Sequence, residues 1–266
     1  MKTVNHIDHR LICDELAALA VKAGDAIMAV YRTDFQTTQK ADASPVTEAD
    51  QIGEKIILAR LAELAPSIPV LAEEAASAGN IPVLGSQFFL VDPLDGTREF
   101  VNRTNEFTVN IALIENGEPI LGVVYAPAME TLYAGVVGMG AWRQKTINGK
   151  TVSAREKITA LLTPTKGLIA VASRSHRSAE TDAFLETLDI AEFEAAGSSL
   201  KFCLIAEGRA HVYPRFGRTM EWDTGAGHAV LNAAGGKVLA YPDNQPLTYR
   251  KEERGYDNPY FIAWGA

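Results

Sequence analysis

Asp92 and Asp95 stand three residues apart behind the apolar run Phe88-Phe89-Leu90-Val91, with Pro93 between them and Gly96-Thr97 following. The apolar run predicts a buried strand. Pro93 removes a backbone donor and sets the direction of exit, and Gly96 permits a sharp turn. Two acids at the rigid end of a strand then face the same hollow. Carboxylates that close repel, and one takes up a proton unless a cation lies between them. A donor set made only of oxygens suits a hard divalent ion, Mg²⁺ first. The same pattern also describes an ordinary strand-to-helix turn in which an Asp caps the helix. Other acids must decide between the two.

Two further segments end in carboxylates. Ile68–Ala72 is a short apolar run that delivers Glu73 and Glu74, and Glu221-Trp222-Asp223 opens a helix rich in small residues. Each acid sits where an apolar element meets a glycine- or alanine-rich turn. One such junction is unremarkable; three in one chain point to a metal cluster shared by two domains.

The elements that must hold these residues are legible in outline. Residues 8–31 carry Ile12, Leu16, Leu19, Ala23, Ile27 and Val30 at steps of three and four, an amphipathic helix. A loop or loose hairpin is expected over 32–46. Thr47-Glu48-Ala49-Asp50 has the form of a capping box, and its helix stops before Pro66. A surface loop is expected over 75–86, then the strand already described. Phe107–Ile114 and Ile120–Tyr125 flank Asn116-Gly117 as an antiparallel hairpin, continued by Thr131–Val137 and Ala141–Arg143. Beyond about residue 150, strands at 167–172, 193–195, 210–213 and 237–240 alternate with helices at 178–188, 198–207 and 222–234. Residues 1–150 are therefore expected to form an α+β metal-binding domain on an antiparallel sheet, and residues 151–266 an α/β substrate-specificity domain.

The chain has 266 residues, 47% of them hydrophobic, with a formal net charge of −8 and no run of Lys or Arg. That is ample for a large core and argues against nucleic acid as a partner. Cys13 and Cys203 are the only cysteines, which suits free thiols in a reducing cytoplasm. No stretch reads as a signal peptide or an integral membrane segment. A cytoplasmic protein is expected, and a peripheral place on the cytoplasmic face of the inner membrane is compatible with the same features.

Asp92-Pro93-Leu94-Asp95-Gly96-Thr97, Glu73-Glu74, and Trp222-Asp223-x-x-Ala226 followed by Ala234-Gly235-Gly236 resemble the inositol monophosphatase-like, lithium-sensitive phosphatases. The resemblance spans most of the chain, with the motifs in order. It implies an α/β fold layered as an α-β-α-β-α sandwich. It also implies a cluster of roughly two or three Mg²⁺ ions held by Glu73, Asp92, Asp95, Asp223 and the carbonyl of Leu94. Asp50 and Thr97 would orient and activate the attacking water, and the amides of Gly96 and Thr97 would meet the phosphate at a helix start. Asp50 could also simply serve its own capping box, and the two roles need not exclude each other. Glu74 could hold a water as a further acid or simply be solvated. Inhibition by Li⁺ is implied too.

Substrate choice is expected from the second half. Lys201 falls in the first turn of a helix opened by Gly197-Ser198-Ser199, where the dipole opposes a cation and a bound anion would reverse the sign. The alternative is a solvated Lys reaching away. Arg215 and Arg218 occupy a loop that bears an acid in relatives selective for inositol phosphate, and guanidinium forks suit phosphate. Ser173-Arg174-Ser175-His176 adds another polar segment. Together these resemble the 3′(2′),5′-bisphosphate nucleotidase branch of the family. That resemblance implies release of the 3′-phosphate of adenosine 3′,5′-bisphosphate, a by-product of sulfate assimilation. Lys201 and Arg215 would hold the retained phosphate, with His176 and Ser198 near the nucleoside. The partner is a small nucleotide; monomer and homodimer are both compatible. The rival readings are an inositol or sugar monophosphatase and a non-catalytic nucleotide-binding sensor.

Overall fold

The structure, a computed structural model, describes residues 8–39, 45–172 and 178–266. Helix α1 (His9–Tyr31) opens on Asp8, whose carboxylate accepts the amides of Arg10 and Leu11. The expected hairpin is the short pair β1 (Thr37–Gln39) and β2 (Pro45–Thr47). It leads into α2 (Glu48–Leu64) through a true capping box: Thr47 Oγ1 accepts the Ala49 amide, and Asp50 Oδ2 accepts the Thr47 amide.

Strand β3 (Val70–Ala72) hands directly to the short helix α3 (Glu73–Ser77), so the expected surface loop begins later than its sequence suggested. Then come β4 (Gln87–Asp95), α4 (Thr97–Val101), β5 (Thr108–Glu115), β6 (Glu118–Ala126), β7 (Thr131–Val136), β8 (Gly140–Ile147), β9 (Lys150–Thr151) and β10 (Glu156–Ile158). These build one large sheet in the order β10-β8-β7-β6-β5-β4-β3, with β9 beside β8. It is antiparallel except at its β3–β4 edge.

The second half adds β11 (Leu168–Ala172), α5 (Ala179–Glu186), β12 (Ile190–Ala195), α6 (Leu200–Ala206), β13 (Val212–Arg215), α7 (Glu221–Ala233), β14 (Lys237–Ala240) and β15 (Phe261–Trp264). The order β12-β11-β13-β15-β14 inserts the last strand antiparallel between β13 and β14. The sequence reading lacked β15, which is only four residues long and takes both partners from distant segments.

Helices α1 and α2 cover one face of the large sheet, α6 and α7 the other. The second sheet lies behind α6 and α7, and α5 packs on it. The chain is thus a layered α/β sandwich. The core is split by the large sheet: Leu16, Ile27, Ile57, Phe89 and Val91 fill one side, and Phe88, Leu90, Phe202, Val230 and Phe261 the other. Alternate residues of β4 serve the two cores, as the two-residue period of a strand requires.

Candidate active site

The end of β4 carries the acid pair. Asp92 is 2% exposed, and its Oδ1 accepts the Leu94 amide at 2.9 Å, which closes the turn around Pro93. The β4–β5 register slips between Asp92 and Asp95, so the pairing resumes only at Asp95–Thr108. Gly96 follows in the left-handed region, φ +89°, and any Cβ there would sit 3.2 Å from the Glu106 carbonyl. Thr97 opens α4 immediately after.

Glu73, at the first position of α3, and Asp223, in the first turn of α7, converge on this turn. Burial raises the Asp92 carboxyl well above the usual range, and the charges of Glu73, Asp95 and Asp223 raise it further. A side-chain hydrogen bond between Glu73 and Asp92 raises Asp92 in the same direction. Asp223 is raised by burial, then by Asp95 and Glu73. Burial pushes Asp95 up to about 6, while the Lys201 charge and the Ser199 amide hold it back. Among the described residues, no three of these carboxylates close on one point as a finished cage. Carboxyls raised by one another's charge are what bare acids crowded at one turn produce.

Asp50 caps its own helix and also faces Thr97. Its Oδ2 accepts from the Thr47 amide and hydroxyl, while Oδ1 lies 3.3 Å from the Thr97 hydroxyl. That hydroxyl is also 3.2 Å from the Leu94 carbonyl. Asp50 is fully buried, which pushes its carboxyl up to about 7. Glu74, half-buried, raises Asp50 through its charge.

A hollow of about 300 Å³ is bounded by Asp95, Thr97, Ser198, Lys201, Arg215 and Asp223. Lys201 is not the solvated side chain its helix position allowed. It is 6% exposed, and its Nζ donates to the Ser198 carbonyl at 2.9 Å. Arg215 donates to the Arg218 carbonyl, and its Nε is buried without a hydrogen-bond partner. Arg218 pairs with Asp257. His176 lies outside the described residues.

Two residues were missed. Ser199 donates its amide to Asp95 Oδ2 at 2.7 Å and its hydroxyl to the Asp223 carbonyl at 2.6 Å. Asn110 on β5 donates to Ser199 Oγ and Asp95 Oδ2. The signal for Asn110 was a lone amide inside an apolar strand; for Ser199 no local signal separates it from Ser198. Ser198 instead adopts φ +43° and bonds Thr108.

The inositol monophosphatase family model matches residues 9–262. The chain belongs to that family. A 3′(2′),5′-bisphosphate nucleotidase CysQ of Shigella flexneri is 46% identical over 250 residues, 93% of this chain and 97% of the relative. The protein of that name from Buchnera aphidicola is 42% identical over 98% of this chain and 96% of its own length. Among solved structures, CysQ from Bacteroides thetaiotaomicron superposes with a TM-score of 0.78 at 39% identity, covering 95% and 97% of the two chains. A Thermotoga maritima IMPase gives 0.76 at 25% identity over 96% and 91%.

Proposed function

We propose that this chain is a Mg²⁺-dependent phosphomonoesterase that removes the 3′-phosphate of adenosine 3′,5′-bisphosphate, giving AMP and phosphate. The observation that carries the reading is the single hollow joining the acid turn to Lys201 and Arg215. A substrate with one phosphate to lose and one to keep needs both ends. Relatives named 3′(2′),5′-bisphosphate nucleotidase, similar along nearly the full chain, support the same choice.

The donor set fits a hard divalent cation: it is oxygen only, and the charges of Glu73, Asp95 and Asp223 crowd on buried Asp92, where a cation would relieve the repulsion. Glu73, Asp92, Asp95, Asp223 and the Leu94 carbonyl would hold two or three such ions. Bound Mg²⁺ supplies charge neutralisation for the phosphate oxygens and acidifies a water. Asp50 and Thr97 orient that water, Asp50 as the acceptor, with Glu74 beside them. The amides of Gly96 and Thr97 donate to the phosphate. Lys201 and Arg215 hold the retained 5′-phosphate, and Ser198 borders the nucleoside. In this reading residues 1–150 supply most of the metal site and residues 151–266 the specificity, with Asp223 crossing from the second half. No helix among the described residues is long and apolar enough to cross a membrane.

The test is phosphate release from adenosine 3′,5′-bisphosphate and inositol 1-phosphate, side by side with Mg²⁺. The nucleotide should turn over with the higher kcat/KM. Faster release from the inositol ester would overturn the substrate.

A further inference from the structure

Helix α3 begins without a cap of its own. Its N-cap is Ala72, which has no side chain to accept the free amides of the first turn. Those amides are accepted from another helix. Glu54 Oε2 takes the Glu74 amide at 2.8 Å, and Glu54 Oε1 takes the Ala75 amide at 2.9 Å. Both oxygens of one carboxylate are therefore used, a bidentate grip that fixes orientation as well as position. Glu54 is 6% exposed, on the buried face of α2 with Ala49, Asp50, Gly53, Ile57 and Leu61. A buried acid spent on two main-chain amides is an expensive way to stabilise a helix of five residues. Its position explains it. Glu73 is the first residue of that helix, and Asp50 lies one turn before Glu54 on α2, facing Thr97.

We propose that Glu54 is a positioning residue for the metal site, holding the first turn of α3 so that Glu73 is aimed at Asp92. Through Asp50 and Glu54, one face of α2 sets two junctions at once: β3 to α3 and β4 to α4. The inference rests on the reading of Glu73 as a metal ligand.

The test is Mg²⁺ binding to the full-length protein by calorimetry, alongside kinetics and thermal unfolding, for wild type and Glu54→Gln. Glutamine keeps the shape but only one acceptor oxygen. The Mg²⁺ dissociation constant should rise roughly tenfold or more, as partners behind a ligand characteristically require. The nucleotide KM at saturating Mg²⁺ should stay within about twofold, because Glu54 does not border the substrate hollow. Ile57→Val on the same helix should lower stability without changing Mg²⁺ affinity. Where Glu54→Gln folds poorly, Glu54→Asp, one methylene short of the amides, should show the same loss. Unchanged Mg²⁺ affinity in a variant beside a binding wild type would overturn this inference alone. A wild type that binds no Mg²⁺ would overturn it together with the metal-dependent reading.

Discussion

Asp50 and Thr97 lie 47 residues apart in sequence, yet the Thr97 hydroxyl stands 3.3 Å from Asp50 Oδ1. The other oxygen of Asp50 is fixed by Thr47, so the carboxylate cannot rotate freely to solvent. A hydroxyl held beside a fixed acceptor at the start of a helix can hand on a proton or hold a water. Thr97→Val should therefore lower kcat by about 10²–10⁴ while KM changes little. Thr97→Ser, which keeps the hydroxyl, should recover most of the rate. Equal losses in both variants would sink the assignment.

The buried acids give a pH dependence whose sign can be worked out. Asp50 at about 7, Asp95 at about 6, and Asp92 and Asp223 above the usual range are all raised in the folded chain. Without metal, the folded state holds more protons than the unfolded one between about pH 4 and pH 7. Stability from these acids is thus full below that window and lost as pH rises through it. Mg²⁺ displaces the protons, so its stabilisation should grow with pH. His228 acts oppositely: burial lowers it to about 3, so stability falls as pH drops below the ordinary histidine value of about 6.5. Measuring the shift in Tm caused by Mg²⁺ at each pH cancels the His228 contribution. That shift should be larger at about pH 7.5 than at about pH 5.5; a flat response would contradict the metal assignment.

Local chemistry was readable where the structural partner is close in sequence. The capping box at Thr47–Asp50, the Asp92–Thr97 turn and the hairpin around Asn116-Gly117 each depend on residues a few positions apart. Contacts across the fold were not readable. Whether Lys201 is solvated or buried depends on Ser198, Tyr213 and Asp95 packing round it. Ser199 acquires its role only when β4, β5 and α7 meet. The strand Phe261–Trp264 is only four residues long, and its place in the sheet is set by β13 and β14. Four acids in order signalled chemistry, but the residues that aim them speak only through distance in space.

Lys201 and Arg215 should separate binding of the retained phosphate from the chemical step. Lys201→Ala and Arg215→Ala should raise KM for adenosine 3′,5′-bisphosphate at least tenfold. Release from a substrate lacking the 5′-phosphate should fall far less. Lys201 also holds the Asp95 carboxyl down, so its loss should shift the acid limb of the rate profile upward in pH. Steady-state kinetics with both substrates across pH reads both effects, and equal losses on the two substrates would count against the role.

The start of α7 is tied to the 248–258 segment by a buried ion pair. Glu221 is fully buried, accepts the amides of Arg250 and Lys251, and pairs with the Lys251 ammonium at 2.7 Å. Lys251→Met should destabilise the fold by about 3–5 kcal/mol, because it strands a buried carboxylate. Glu221→Gln with Lys251→Met should recover part of the loss, since no buried charge is left unpaired and one of the two amides keeps its acceptor oxygen. Urea unfolding of the single and double variants decides; a single variant as stable as wild type would show that the pair contributes nothing.

Asp223 reaches the acid turn only if α7 lies hard against β6, and Gly122 is where the two backbones approach. A Cβ at Gly122 would stand 2.2 Å from the Ala226 carbonyl oxygen and 2.8 Å from Ala229 Cβ. The first of these is main chain, so relief requires moving the whole helix rather than a side-chain rotamer. Gly122→Ala should therefore cost at least 1–3 kcal/mol of stability, on the order of a severe overpacking. It should also weaken Mg²⁺ binding, because the displaced helix carries Asp223 away from Asp92 and Asp95. Gly85→Ala is the matched control: its Cβ would stand 3.8 Å from the Gln87 carbonyl oxygen and its backbone needs no left-handed conformation. Urea midpoints and Mg²⁺ titrations on the two variants should differ sharply. A Gly122→Ala protein that unfolds like wild type yet binds Mg²⁺ normally would mean that α7 does not set the site through this contact.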